Sequence, residues 1–158
     1  MTIKVGDKLP KAELRTMGEK GPQVISTDEL FSGRRVALFA VPGAFTPGCS
    51  QTHMPGFVIN ADKIHEKGID QIACLATNDA FVMSAWQRDQ NAEHILMLSD
   101  GNADFVRKLG LELDASAGGM GIRSQRFALI ANDGVVEWLG VDPKGVDQSS
   151  AETLLGQL

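Results

Sequence analysis

An unbroken apolar run, Val36-Ala37-Leu38-Phe39-Ala40-Val41, stops at Pro42-Gly43 and is followed closely by a cysteine. A run of strand length without a polar position is what a strand buried on both faces requires, and Pro-Gly is how such a strand ends. Ser50-Gln51-Thr52-His53-Met54 and then Phe57-Val58-Ile59 begin a helical pattern, with Thr46 as the expected N-cap and Pro47 in the first turn. Cys49 therefore falls at or inside the first turn of a helix, just past a central strand. Backbone N–H groups without helical acceptors and the positive end of the helix dipole favour thiolate over thiol there. A free cysteine is more often a small buried hydrophobe, but Pro47-Gly48 and Ser50-Gln51 are not apolar flanks. The expectation is an acidic, reactive sulfur.

The rest of the chain alternates strands and helices. Residues 1–34 predict short extended pieces and a helical turn over Ser26–Ser32. The cysteine helix is expected from about Gly48 to Lys67, kinked at Pro55-Gly56 and ended by Gly68. Ile69–Ala76 predicts a second strand, and Asn78-Asp79 caps a helix over Ala80–Gln90 whose apolar face includes Phe81 and Trp86, both expected in the core. His94–Leu98 predicts a strand and Ala103–Leu109 a short helix. Leu111–Ser124 contains Ala117-Gly118-Gly119-Met120-Gly121, which reads as a flexible loop with no period. Phe127–Ala131 and Val135–Val141 predict a hairpin through Asn132-Asp133-Gly134, and Ser149-Ser150-Ala151-Glu152 a capping box opening a last helix. This order predicts a mixed central sheet flanked by helices, a thioredoxin-like α/β fold with one added strand–helix unit, in a single domain spanning residues 1–158.

Composition removes several function classes. The formal net charge of −5 argues against nucleic acid as a partner. No apolar run is long enough to span a bilayer, so no membrane association is expected. The start, Met1-Thr2-Ile3-Lys4-Val5, lacks the apolar core of a secretory signal. Two cysteines in 158 residues do not make a disulfide scaffold, and a reducing, cytoplasmic setting is the default expectation. A mature organellar form would look the same.

Pro42-Gly43-Ala44-Phe45-Thr46-Pro47-Gly48-Cys49 resembles the P-x-x-x-T-x-x-C signature of the peroxiredoxins, and the string from Leu38 to Phe57 resembles the type II, or peroxiredoxin-five, subfamily. Thr77–Met83 with Trp86, and Arg123–Leu129, carry the resemblance across nearly the whole chain, in order. The resemblance implies a thiol-dependent peroxidase acting on hydrogen peroxide and alkyl hydroperoxides, with neither metal nor organic cofactor. Cys49 would be the peroxidatic cysteine, Thr46 would hydrogen-bond thiolate and peroxide, Pro42 would shield the sulfur, and Arg126 would complete the pocket. It also implies a homodimer formed through loops near the active site, and regeneration by glutathione with glutaredoxin or by thioredoxin.

Each assignment has a competitor. Thr46 could serve only as N-cap; the family match favours catalysis. Arg126 could be a solvated strand-end arginine, but a permanently charged planar donor suits both thiolate and peroxide. Arg123 is its rival and, with Gly48 and His53, is assigned to pocket support. Cys49, His53 and Cys74 do not make a metal site by spacing, and His53 is expected to bond locally or shape the pocket rim. Cys74, in an apolar strand, suits packing; some type II peroxiredoxins use a cysteine at this spacing to resolve the sulfenic acid. The expectation is that an outside thiol is the main resolver and Cys74 secondary. The Gly118–Gly121 loop is no phosphate cradle. A disulfide oxidoreductase, lacking C-x-x-C at Thr46-Pro47-Gly48-Cys49, and a redox sensor that barely turns over are the competing functions.

Overall fold

Burial on both faces forces the apolar runs to the middle of a sheet, and that is where the computed structural model, described over residues 2–158, has them. In chain order, β1 (Glu13–Gly18) and β2 (Gly21–Ser26) form a hairpin, α1 (Thr27–Phe31) follows, and β3 (Arg35–Ala40) carries the central run. The chain then turns into a π-helical segment, Cys49–His53, continued by α2 (Met54–Glu66). β4 (Gln71–Ala76), α3 (Ala80–Asp89), β5 (Leu96–Ser99) and α4 (Asp104–Leu109) come next. A two-stranded ribbon, β6 (Glu112–Asp114) with β7 (Ile122–Ser124), precedes the hairpin of β8 (Arg126–Asn132) and β9 (Val135–Asp142), and α5 (Ala151–Leu155) ends the chain.

The main sheet has seven strands in the order β2-β1-β5-β4-β3-β8-β9. β3, β4 and β5 are parallel, and the remaining pairings are antiparallel. Alternation along β3 divides the core: Val36, Leu38 and Ala40 join Leu30, Phe105 and Leu109 on one face, while Ala37, Phe39 and Val41 join Phe57, Ile64, Trp86 and Leu154 on the other. Each large side chain fully buried this way contributes roughly 1.5–3 kcal/mol. This is the mixed sheet with helices on both faces expected from the sequence, and it is a thioredoxin-like fold.

Three local expectations are corrected and one is extended. Pro55-Gly56 does not kink the cysteine helix. Pro55 sits in the first turn of α2, where its missing N–H costs little, and the irregularity lies one turn earlier, where the Met54 N–H reaches back five residues to the Cys49 carbonyl. Phe81 is 65% exposed rather than core, whereas Trp86 is fully buried. The glycine-rich loop at 117–121 is flanked by paired strands that the sequence reading did not include: Glu112 faces Ser124 and Asp114 faces Ile122. The N-cap of α5 is Ser150, whose Oγ accepts the Thr153 N–H, because Ser149 is turned inward.

Candidate active site

The helix that begins at Pro47 takes its first internal bond from the Ser50 N–H to the Thr46 carbonyl at 2.9 Å. The N–H groups of Gly48 and Cys49 therefore have no acceptor within the helix, and the Cys49 sulfur stands in that first turn. The turn feeding it is tightly drawn. Phe45 has φ of 66°, a left-handed conformation that a bulky residue adopts only when its surroundings impose it. The Thr46 N–H closes the turn on the Gly43 carbonyl at 3.3 Å with Phe45 in its third position, and the Ala44 N–H donates to Asn78 Oδ1 at 2.9 Å, tying this turn to the start of α3.

Arg126, the first residue of β8, reaches across from the neighbouring strand of β3. Its Nη2 donates to Cys49 Sγ at 3.1 Å and its Nη1 to His53 Nδ1 at 2.8 Å. Gly48 leaves room for this: a Cβ there would stand 3.3 Å from Arg126 Nη2. Thr46 does not cap the helix with its side chain. Its hydroxyl donates to the Gly43 carbonyl at 2.6 Å, so only lone pairs remain to face an incoming molecule. Arg123 donates from Nε to the Met120 carbonyl at 2.8 Å and from Nη1 to the Pro42 carbonyl at 3.3 Å, bracing the turn from behind. Cys49, Thr46, Arg126, Pro42, Gly48, His53 and Arg123 thus gather at one place.

His53 is not on a rim. It is buried, boxed by Phe39 with ring centroids 5.1 Å apart and by Phe57 at 5.6 Å. A guanidinium can only donate and a carbonyl only accept, so Nδ1 is the acceptor from Arg126 and Nε2 carries the proton given to the Ser149 carbonyl at 2.8 Å. Burial first lowers its pKa to about 4, the Ser149 carbonyl opposes that shift, and the Arg126 charge adds to it. The ring is neutral at pH 7, and with both nitrogens engaged it has no lone pair to offer a metal.

Cys74 lies in β4 directly opposite Phe39, fully buried in the same core layer as Cys49. Burial, and then the nearness of Cys49, push its thiol well above the ordinary value; Arg126 offsets this only in part. Both cysteines are free. Three contributors have no signature of this role in the sequence: Asn78, which reads there as part of a helix cap, Ser149, which reads as part of a capping box, and Asp142. Only the last has a local signal, an aspartate closing a strand before a Pro-Gly loop, Asp142-Pro143-Lys144-Gly145.

Fold and site together define a thiol-based oxidoreductase of the thioredoxin-like class. The comparisons make this specific: the family described as Redoxin matches residues 4–155. Peroxiredoxin-2E-2, chloroplastic, of Oryza sativa subsp. japonica is 48% identical over 99% of this chain and 73% of its own length. Peroxiredoxin-2D of Arabidopsis thaliana is 42% identical over 99% of this chain and 98% of its own. Among solved structures, that of reduced Prx3 from Vibrio vulnificus in complex with hydrogen peroxide superposes with a TM-score of 0.95 at 51% identity, covering 98% of both chains. The chain belongs to the Redoxin family and, within it, to the type II peroxiredoxins, which are thiol-dependent peroxidases.

Proposed function

We propose that Cys49 is the peroxidatic cysteine of this peroxidase and that Arg126, Thr46 and Pro42 form its reaction pocket. The observation that carries this is the 3.1 Å hydrogen bond from Arg126 Nη2 to Cys49 Sγ beside a threonine whose own proton is committed to Gly43. The guanidinium holds the sulfur by this hydrogen bond and lays a positive charge beside it. A hydroperoxide entering beside it donates its O–H to Thr46 Oγ1, which has only lone pairs to give, and that orients the distal oxygen toward the sulfur. The sulfur attacks, an S–O bond forms as the O–O bond breaks, and the leaving oxygen departs as hydroxide or alkoxide and takes up a proton. Arg126 spans sulfur and the oxygens where charge accumulates. Pro42, half-buried and held through its carbonyl by Arg123, covers the sulfur without offering a hydrogen bond.

A thiol must then return Cys49 sulfenic acid to thiol. An outside thiol, glutathione with glutaredoxin or thioredoxin, is the main resolver in this reading. Cys74 supports it by its surroundings, since a buried, protonated thiol is a poor nucleophile. Steady turnover of Cys74→Ser with glutaredoxin and glutathione is expected to remain within about twofold of wild type. The same assay run with thioredoxin identifies the preferred reductant. Loss of nearly all turnover in the mutant, with a Cys49–Cys74 disulfide seen by mass spectrometry in wild type, would reverse this assignment. Sustained consumption of hydroperoxide also separates the peroxidase from a sensor oxidised once per chain, and failure to reduce insulin disulfides separates it from a disulfide reductase.

Two exposed aromatics, Phe45 at 52% and Phe81 at 65%, project from the turn and the helix start that the Ala44–Asn78 bond holds together. Exposed apolar rings on two elements that one hydrogen bond ties together suit a second copy of the chain, and we read this as the homodimer surface. Sedimentation is expected to give a dimer for wild type and a monomer for Phe81→Glu; a monomeric wild type at high concentration sinks this reading. A reducing compartment, cytoplasmic or the interior of an organelle, fits the two free thiols, and two of the relatives are chloroplastic by name.

A further inference from the structure

The loop between β9 and α5 hangs on one carboxylate. Asp142 Oδ1 accepts the Gln148 N–H at 2.9 Å, while Oδ2 accepts the N–H groups of Asp147 at 2.9 Å and Ser149 at 2.8 Å, and the Ser149 hydroxyl at 2.7 Å. The loop is pressed onto the strand it leaves: a Cβ on Gly140 would strike the Gln148 carbonyl and stand 2.8 Å from the Trp138 ring. Ser149 is fully buried as a result, and its carbonyl is fixed against His53 Nε2.

Asp142 is also the cross-strand partner of Arg126. A carboxylate opposite an arginine ordinarily takes it in a forked ion pair. Among the described residues no ion pair joins these two. The carboxylate is occupied by the loop, and the guanidinium stays on sulfur.

We propose that Asp142 is a positioning residue for peroxide attack: by pinning Ser149 it selects the His53 tautomer protonated at Nε2, and the bare Nδ1 then aims Arg126 at Cys49. The proposal rests on the role assigned above to Arg126. Its chemistry is that of a buried neutral imidazole, which has no bulk water to choose its tautomer and takes the one its fixed acceptor demands. With the proton on Nδ1 instead, two donors would face each other at Arg126 Nη1, and the guanidinium would have to swing off the sulfur. The line runs from the Asp142 carboxylate through the backbone of Ser149, the His53 ring and the guanidinium to the sulfur.

The test is Asp142→Asn, which keeps size but sets an amide donor among the donors of the loop. Two readouts are needed: the second-order rate of Cys49 oxidation by hydrogen peroxide, in wild-type and Arg126→Ala backgrounds, and the ¹⁵N resonances of His53. Expected are an Nε2-protonated ring in wild type, tautomer mixing in Asp142→Asn, and oxidation slowed about tenfold. In the Arg126→Ala background that slowing should shrink below about twofold, because the two residues act as one unit. Equal slowing in both backgrounds, an unmoved tautomer, or tautomer mixing without slowing overturns the proposal. If Arg126→Ala itself leaves the rate unchanged, the underlying reading of Arg126 fails instead. Should Asp142→Asn not fold, Ser149→Ala removes one of the four bonds and keeps the carbonyl. About twofold slowing, lost again without Arg126, supports the proposal, and the same slowing in both backgrounds overturns it.

Discussion

Replacing Cys49 by serine is expected to lower the rate of hydroperoxide consumption on the order of 10⁴-fold or more, the scale on which removal of a nucleophile acts. A serine hydroxyl in the same place is almost never ionised at neutral pH, and the 3.1 Å donor from Arg126 does not change that. No second thiol can take over. The only other cysteine, Cys74, is fully buried with a thiol held protonated by its surroundings. Stopped-flow oxidation and steady turnover with an excess of reductant measure the loss, and the fluorescence of Trp86, bonded from Nε1 to Ser50 Oγ at 3.0 Å, checks that the cysteine turn is still folded. A folded Cys49→Ser protein with near wild-type turnover would place the chemistry elsewhere.

The second large effect is expected at Arg126 and not at its neighbour. Arg126→Ala should slow oxidation of Cys49 roughly 10²–10³-fold, as removal of one charge-stabilising donor does, and Arg123→Ala about tenfold or less. Arg123 spends its observed bonds on the carbonyls of Met120 and Pro42, so it shapes the turn but does not touch sulfur. Arg126→Lys should recover little, because one ammonium cannot span His53 and Cys49 as a planar guanidinium does. Removing Arg126 also strands the His53 Nδ1 acceptor, so melting temperatures must accompany the rates. Equal, small effects at both arginines sink the assignment.

Much of this was legible in the chain itself. The β3 run, the Pro-Gly stop and the cysteine at a helix start required only burial and backbone bonding, and they bring Cys49 and Thr46 to one turn. Arg126 was legible by motif alone, since nothing local says that the first residue of β8 will lie across from that turn; the strand order β4-β3-β8 does that. Phe81 was misread because helical spacing reports a shared face, not whether that face meets the sheet or solvent. The π turn was missed because nothing in the spacing marks it: a regular helix would also carry Cys49 and His53, four residues apart, on one face. The roles of Ser149 and Asp142 depend on a carboxylate meeting backbone N–H groups five to seven residues later, a pairing no periodicity encodes.

The buried neutral His53 has a thermodynamic consequence. In an unfolded chain its imidazole takes a proton near pH 6.5, whereas in the folded protein it resists until about pH 4. Between those limits the unfolded state binds more protons, so stability rises with pH and falls on acidification. A displacement of this size is worth on the order of 3 kcal/mol, fully present above pH 6.5 and lost as pH drops toward 4. Asp142 pulls the same way. Burial opposes its ionisation, but its hydrogen bonds win and hold it below the usual range. Asp100, raised by burial against the Phe105 and Val106 N–H groups, works in the opposite sense. Denaturant melts across pH 4–7 should therefore show wild type losing stability in acid more steeply than a His53→Gln variant; matching slopes would remove the histidine from the account. The hydrogen-bond line that keeps an arginine on its sulfur thus makes the protein acid-labile, and mild acid should dismantle the pocket as it unfolds the chain.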